Sequence, residues 1–192
     1  MKRHQELLTA AIERDGEGQR ALMSRDGAAA REAFLAAADL YRQSWEEAPP
    51  RSYGRLVGLL KATVLSGEDP RSAAGFARSA LAEDPDADRS PTASYALALA
   101  ALVEGSDEEA GQRAEVMLGG SEAFDRTAIA IAALAAGDVD RYAAAVGQIV
   151  RDFEHRSAHL TGVAIADTAL VLERLAAPRG MAAGVRSEVL PG

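Results

Sequence analysis

The sequence predicts an all-α protein, and three observations support this fold class. Alanine, the strongest helix former, makes up 43 of the 192 residues. Apolar residues recur at the i, i+3, i+4 spacing of a helix face, and no stretch of convincing length shows the alternation of a strand. Clusters of Gly, Pro, Asp and Ser interrupt the chain at intervals of about one helix length. The hydrophobic fraction of 48% is that of a globular chain, which excludes global disorder.

The interruptions divide the chain into candidate helices. They fall near residues 15–18, 25–27, 49–52, 66–70, 83–91, 105–107, 119–121, 137–138, 161–162 and 178–180. Between them, the apolar face of a helix is clearest in three segments, residues 33–45, 56–64 and 143–153. We therefore expect a helix in most of the intervals, with each break forming a turn.

Start signals agree with several of these breaks. Asp69-Pro70 and Ser90-Pro91 each place a capping oxygen before a proline at the first helical position. Ser106 with Glu109 three residues later has the spacing of a capping box. Asp138 follows a glycine and predicts the start of another helix.

An irregular repeat underlies three of the segments. Similar openings occur at Gly105–Ala110, Gly137–Tyr142 and Gly67–Pro70, and Arg78–Pro85 closes the last of these units. These residues resemble the tetratricopeptide repeat (TPR), whose second helix often opens Gly-Asp-x-x-x-Ala and closes Ala-Leu-x-x-Asp-Pro. The resemblance covers about two-thirds of the chain and lacks the Trp and Gly-Tyr of the family's first helices. It implies antiparallel helical hairpins stacked in a right-handed array, and a compact helical bundle is the alternative.

The whole chain, residues 1–192, is expected to form a single helical-repeat domain. We expect its core to span roughly residues 4–177 and the tail from residue 178 to be loosely held after Pro178–Gly180 stops the last helix. Near this end, Phe153–Arg156 and Val163–Thr168 resemble the closing segment of a group of uncharacterised archaeal and actinobacterial helical proteins. Ala164 stands where that group has a proline, and the resemblance implies no activity.

Charge and composition limit the kinds of partner and the cellular compartment that the sequence favours. The net charge of −8 disfavours nucleic acid, because phosphate binding needs a basic face. The absence of cysteine excludes disulfides, thiolate zinc sites and a cysteine nucleophile, and fits a reducing compartment. No apolar run follows the basic start of the chain, and the longest runs, residues 95–103 and 128–136, are too short for a bilayer. We therefore expect a cytoplasmic protein without membrane contact, and the arginine and alanine bias of a GC-rich genome indicates a bacterial origin.

The leading functional hypothesis is a non-catalytic module that binds a protein or peptide. Helical arrays offer an extended surface for such partners. Residues 105–150 carry eight acidic and three basic residues, which would suit a basic partner. A symmetric homodimer through apolar end faces is a further possibility. The candidate contact residues are Tyr53, Arg55, Tyr95, Arg126 and the acidic run of Asp107, Glu108 and Glu109.

The alternative hypothesis is a small-ligand-binding protein or enzyme with a pocket near His155, His159 and Asp167. The two histidines are four residues apart and share a helix face, as in a two-histidine metal site. No glutamate follows His155, and the intervening Arg156 repels a cation, so no metal or other cofactor is predicted. Phosphate-binding glycine loops and the Gly-x-Ser-x-Gly elbow are also missing, so we expect no enzymatic activity.

Asp167 is the most informative single residue, because the helix face around it is otherwise apolar. A carboxylate there must be paired, capped or neutralised, since burial of a lone charge is costly. The expected partners are Arg151, Arg156 or His159, in which case Asp167 would lock the last helix to residues 151–160. A pocket carboxylate with a shifted pKa is the functional alternative.

Overall fold

The structure, a computed structural model, describes residues 2–191, so the end residues of the predicted domain 1–192 lie outside it. Within the described range the chain forms nine α-helices and no β-strand, which confirms the all-α fold class. The two short 3-10 helices are Ala87–Arg89 and Ala177–Arg179. The helices are α1 (Arg3–Met23), α2 (Gly27–Glu46), α3 (Gly54–Ser66), α4 (Arg71–Leu81), α5 (Pro91–Glu104), α6 (Asp107–Met117), α7 (Glu122–Ala135), α8 (Val139–His155) and α9 (Asp167–Ala176).

The helices pack in adjacent pairs, as expected for an array of helical hairpins. Each helix from α1 to α9 contacts the next, and α5 also contacts both α3 and α7, so that these three helices form an inner row. The last helix, α9, turns back and packs against α3, α7 and α8. The arrangement is compatible with a helical repeat whose inner row is partly covered by the chain's own final helix.

Two of the four predicted helix caps are confirmed. The prediction for Asp69-Pro70 is wrong, because Pro70 is itself the N-cap of α4 and makes no side-chain cap hydrogen bond. The Ser90 side chain accepts a hydrogen bond from the backbone N–H of Ala93, and Asp138 caps α8 in the same way. Helix α6 begins directly after Ser106, but the predicted capping box is wrong because the Ser106 side chain makes no cap hydrogen bond. The carboxylate of Glu109 is instead held by Arg78 at 2.8 and 2.7 Å.

The break predicted near residues 15–18 is wrong, because α1 runs through both of its glycines. A Cβ added to Gly18 would lie 2.9 Å from atoms of the Phe34 ring. One added to Gly16 would lie 3.1 Å from the backbone oxygen of Thr161. These glycines therefore permit close packing of α1 against α2 and against the loop after α8, rather than a turn.

The C-terminal segment is packed, contrary to the expected loose tail. Met181, Val189 and Leu190 are buried in the core. The backbone N–H of Ala166 donates to the carbonyl of Val189 at 2.7 Å, which fixes the segment beside the start of α9. The predicted end of the core at residue 177 is therefore too early, because apolar residues beyond the last helix contribute to the same core.

The long apolar run at residues 95–103 lies in a core helix, as predicted. It belongs to α5, in which every residue from 93 to 102 is buried. Across residues 2–191, none of the helices combines the length and the apolar character needed to cross a membrane.

Candidate functional site

A cavity of about 250 Å³ lies on the inner side of the array, where six helices meet the loop of residues 156–166. Its walls come from α1, α3, α5, α7, α8 and the first residues of α9. The apolar part of the lining consists of Ala123, Phe124, Ile149, Phe153, Leu160, Val163 and Ile165. The charged residues of the lining form two clusters. We call the first, together with Tyr95, the cavity floor (Asp15, Lys61, Tyr95 and Asp167), and we call the second, beside the exposed Leu160, the cavity mouth (Arg126, Asp152 and Arg156).

An ion pair between α3 and α9 forms one side of the floor. Lys61 Nζ lies 2.5 Å from Oδ2 of Asp167 and donates to the Thr168 hydroxyl at 3.2 Å. The other Asp167 oxygen accepts a hydrogen bond from the backbone N–H of Thr168 at 2.7 Å. Burial lowers the pKa of Lys61, but the nearby carboxylates outweigh it and raise the pKa overall, so the ammonium is charged.

Asp15 provides a second carboxylate at the floor. It is 8% exposed and accepts hydrogen bonds from the Tyr41 hydroxyl at 3.1 Å and from the Gln19 amide at 3.3 Å. Burial raises the pKa of Asp15 to about 6, although the charge of Lys61 opposes this shift. The negative charge of Asp167 also contributes to this increase in the Asp15 pKa. The ionised form of such a buried carboxylate destabilises the folded state. Destabilising groups with shifted pKa values are common at functional sites.

Tyr95 completes the floor and is the one floor residue whose polar atom is unsatisfied. Its side chain is 8% exposed and lines the cavity, and its buried hydroxyl has no hydrogen-bond partner within residues 2–191. Burial raises the pKa of Tyr95, so the hydroxyl keeps its proton at neutral pH. Thr168 lies close enough to affect that pKa, but the two hydroxyls do not meet hydrogen-bond geometry. Most buried polar atoms in proteins are satisfied, so this exception requires an explanation.

At the mouth, two guanidinium groups share one carboxylate. Arg126 donates to Oδ1 of Asp152 at 2.8 Å, and Arg156 donates through Nε to Oδ2 of Asp152 at 2.9 Å. The Arg156 guanidinium also lies 3.8 Å above the centre of the Phe153 ring. Leu160 is 79% exposed, so this end of the cavity opens to solvent.

Three of the four residues predicted as a polar cluster line this cavity, and His155 does not. Arg156, His159 and Asp167 are all in its walls. His159 stacks on Phe153 with ring centroids 6.1 Å apart, and its buried Nδ1 lacks a partner in the described part of the chain. His155 is exposed and its Nδ1 contacts the carbonyl of Arg151 at 2.6 Å. Because α8 ends at His155, the two histidines do not share a helix face.

The predicted partners of Asp167 are wrong. The carboxylate pairs with Lys61, which lies 106 residues earlier in the chain, and not with Arg151, Arg156 or His159. Arg156 pairs with Asp152 instead, and the Arg151 side chain is exposed to solvent. Asp167 therefore fastens α9 to α3 rather than to residues 151–160.

The candidate partner-binding residues do not form one surface. Tyr95 and Arg126 line the cavity, whereas Tyr53 donates its hydroxyl to Asp84 at 2.7 Å at the far end of α3 from Lys61. Arg55 donates to the Ser44 hydroxyl at 2.7 Å and contacts the ring of His4 at 3.2 Å.

The acidic run at the start of α6 is largely engaged within the chain. Asp107 pairs with Arg179 at 2.9 Å, and Glu109 is held by Arg78. Only Glu108 lacks an ion pair among these three, and it accepts a hydrogen bond from Gln112 within the described structure. The run is therefore mostly part of the structure's own charge network.

Asp15 and Lys61 were not identified from the sequence. Asp15 resembles part of a break in the sequence, because two glycines follow it closely. Lys61 carried a usable signal: it is one of two lysines among 21 basic residues, and it interrupts the apolar face of α3. No group of three side chains with metal-ligand chemistry occurs in residues 2–191.

No family model, curated protein or solved structure matches the chain. The function is therefore argued from the geometry of the cavity.

Proposed function

We propose that this protein binds a small organic molecule in the cavity on the inner side of its helical array. The observation that carries this proposal is a cavity of about 250 Å³ with a buried tyrosine hydroxyl, that of Tyr95, left without a partner in residues 2–191. Ligand sites are typically apolar cavities with a few convergent polar groups, and this volume is near their lower limit of roughly 300 Å³. The ligand is therefore small.

The closure of the array around the cavity supports this proposal. The loop after α8 reaches α1, where the Thr161 hydroxyl donates to the Gln19 side chain and the backbone approaches Gly16. Helix α9 then packs on α3 and α7. These contacts join the first and last helices and wall off a space of small-molecule size.

The peptide-binding hypothesis receives less support from the same geometry. Helix α9 lies on the inner row of helices, which is the side where an array would receive an extended peptide. Protein or peptide binding, a basic partner and a homodimer stay predictions, as do the cytoplasmic location and the absence of enzymatic activity.

A ligand-observed NMR screen with a cavity-filled variant tests the proposal. The screen uses small neutral, cationic, anionic and zwitterionic molecules and measures saturation transfer from the full-length protein. Ala123→Phe fills the cavity from α7, and Ala144→Phe places the same ring on the exposed side of α8 as a matched control. Circular dichroism verifies that each variant is folded.

We expect molecules that bind the parent and Ala144→Phe but not Ala123→Phe. If Ala123→Phe does not fold, Val163→Phe fills the cavity from the loop instead. A screen in which no molecule binds, or in which binding survives both cavity-filling changes, would contradict the proposed function.

A further inference from the structure

The cavity floor carries a surplus of negative charge. Its one cation, Lys61, contacts Asp167 directly and acts electrostatically on Asp15 as well. When both carboxylates are ionised, the described side chains of the floor sum to one net negative charge. Hydrogen bonds from Tyr41 and Gln19 stabilise Asp15 but add no positive charge.

The cavity mouth carries the opposite surplus. Asp152 alone is shared by Arg126 and Arg156, whose side chains are 24% and 34% exposed. Glu122 reaches Arg126 only at 3.5 Å and is 91% exposed, so solvent screens most of its effect. The mouth can therefore receive an anion, and guanidinium groups are well suited to carboxylates.

The two clusters are separate. The floor belongs to α1, α3, α5 and α9, the mouth to α7, α8 and the loop that follows, and no ion pair or hydrogen bond links their charged groups within residues 2–191. Between these groups, most of the lining is apolar, with Phe124, Ile149 and Val163 among the wall residues. A ligand that satisfies both clusters needs opposite charges at the two ends of an apolar chain.

We propose that the ligand is a small zwitterion of the ω-amino acid class, bound with its ammonium at the floor and its carboxylate at the mouth. The ammonium would receive charge complementarity from Asp15, because the two carboxylates of the floor outnumber its one cation. The carboxylate would contact Arg126 and Arg156. This inference rests on the proposed function and specifies its ligand class.

Four five-carbon probes separate the contributions of the two charges. They are δ-aminovalerate, its α-amino isomer norvaline, valerate and pentylamine, each titrated calorimetrically into the full-length protein. Norvaline has the same atoms and charges as δ-aminovalerate, but both charges sit at one end. We expect δ-aminovalerate to bind at least about tenfold more tightly than the other three, a factor that one additional charged contact supplies.

Two arginine variants locate the carboxylate. Arg156→Gln should weaken δ-aminovalerate and valerate by about tenfold and leave pentylamine unchanged. Arg151→Gln is the matched control, because Arg151 is exposed on α8 outside the cavity. It should change none of the four affinities.

Lowering the pH tests the ammonium end. The groups that face Asp15 are Tyr41, Gln19, Lys61 and Asp167, and with these neighbours its pKa is about 6. Protonation of Asp15 removes the surplus negative charge of the floor. Pentylamine and δ-aminovalerate should therefore bind more weakly at about pH 5 than at about pH 8, whereas valerate should not weaken.

The outcomes distinguish the two proposals. If screened molecules bind in the cavity but δ-aminovalerate shows no advantage over norvaline and the singly charged probes, the zwitterion inference is overturned and the proposed function stands. If neither the probes nor the screened molecules bind, both are overturned. The inference would also be overturned if δ-aminovalerate binds more tightly than the other probes by the same factor in Arg156→Gln and at low pH. The higher affinity would then not arise from these two clusters.

Discussion

Two buried tyrosines, Tyr142 and Tyr95, differ in whether the hydroxyl group has a hydrogen-bond partner. Tyr142 on α8 is fully buried and donates its hydroxyl to Glu173 on α9 at 3.0 Å. Glu173 also accepts hydrogen bonds from the backbone of Ala183 and Gly184, so this part of the core is satisfied. Tyr95 on α5 is nearly as buried, but its hydroxyl has no partner in residues 2–191 and it lines the cavity.

The difference separates polar groups that hold the fold from one that the described residues leave unsatisfied beside the cavity. Tyr41 and Tyr53 also donate to carboxylates, those of Asp15 and Asp84, so three of the four tyrosines are satisfied within the chain. An unsatisfied buried hydroxyl costs about 1–3 kcal/mol, a cost that a bound ligand offsets. The exception among the tyrosines thus lies where the array encloses space.

The largest expected effect is that of Lys61→Met, which removes the cation of the floor. Two carboxylates would then lie at the floor without their counter-charge, so the free energy of unfolding should fall by about 3 kcal/mol. Arg31→Met breaks an exposed pair with Glu68 and should cost less than about 1 kcal/mol. Urea unfolding of both variants measures the contrast, and equal losses would show that the floor is no more sensitive than the surface.

Asp15→Asn should stabilise the protein, and the effect should depend on pH. The pKa of Asp15 is raised in the folded state to about 6 from an ordinary value of 3.8, mainly by burial. The folded state therefore favours the protonated form, and this stabilisation is present below about pH 4 and lost as the pH rises through 6. The amide stays neutral, so its advantage should be small at pH 4 and up to about 3 kcal/mol at pH 8.

Thermal unfolding at the two pH values measures this advantage. Asp39→Asn, on the exposed side of α2, is the control and should differ from the parent by less than about 0.5 kcal/mol at either pH. A destabilised Asp15→Asn at pH 8 would contradict the assignment of Asp15 as a strained carboxylate.

Two matched substitutions test the difference between Tyr142 and Tyr95. Tyr142→Phe removes a satisfied hydrogen bond and should lower the free energy of unfolding by about 1–2 kcal/mol. Tyr95→Phe removes an unsatisfied hydroxyl and should leave the free energy of unfolding unchanged or raise it by up to about 1–3 kcal/mol. Chemical unfolding monitored by circular dichroism compares them, and a larger loss for Tyr95→Phe would mean that its hydroxyl is satisfied in the folded protein.

The smallest expected effects concern the acidic run of α6. Glu109→Gln weakens the bidentate pair with Arg78 and should cost about 1 kcal/mol, since the pair is only partly exposed. Glu108→Gln should have no measurable effect on stability. Melting temperatures of the two variants are measured at low and high salt. An equal decrease in melting temperature for Glu109→Gln and Glu108→Gln would contradict the view that Glu109 belongs to the structure's charge network.

Local signals predicted much of the fold, whereas the site depends on contacts distant in sequence. The caps at Ser90 and Asp138 and the apolar character of α5 follow from neighbouring residues, and the structure confirms them. The pairing of Lys61 with Asp167 joins residues 106 positions apart, so nothing local indicates it. Glycines that relieve close packing, such as Gly18, resemble glycines that form turns when only the sequence is known.

The central claim is that Tyr95 lines a ligand site, whereas the Tyr142 hydroxyl is held within the core. Carbon-13 labelling of the tyrosine ring carbon that bears the hydroxyl gives four NMR signals, one for each tyrosine. Titration with the molecules that bind in the screen, and with δ-aminovalerate, should shift the Tyr95 signal saturably and leave that of Tyr142 unchanged. A Tyr95 signal that stays fixed while these molecules bind would contradict the account.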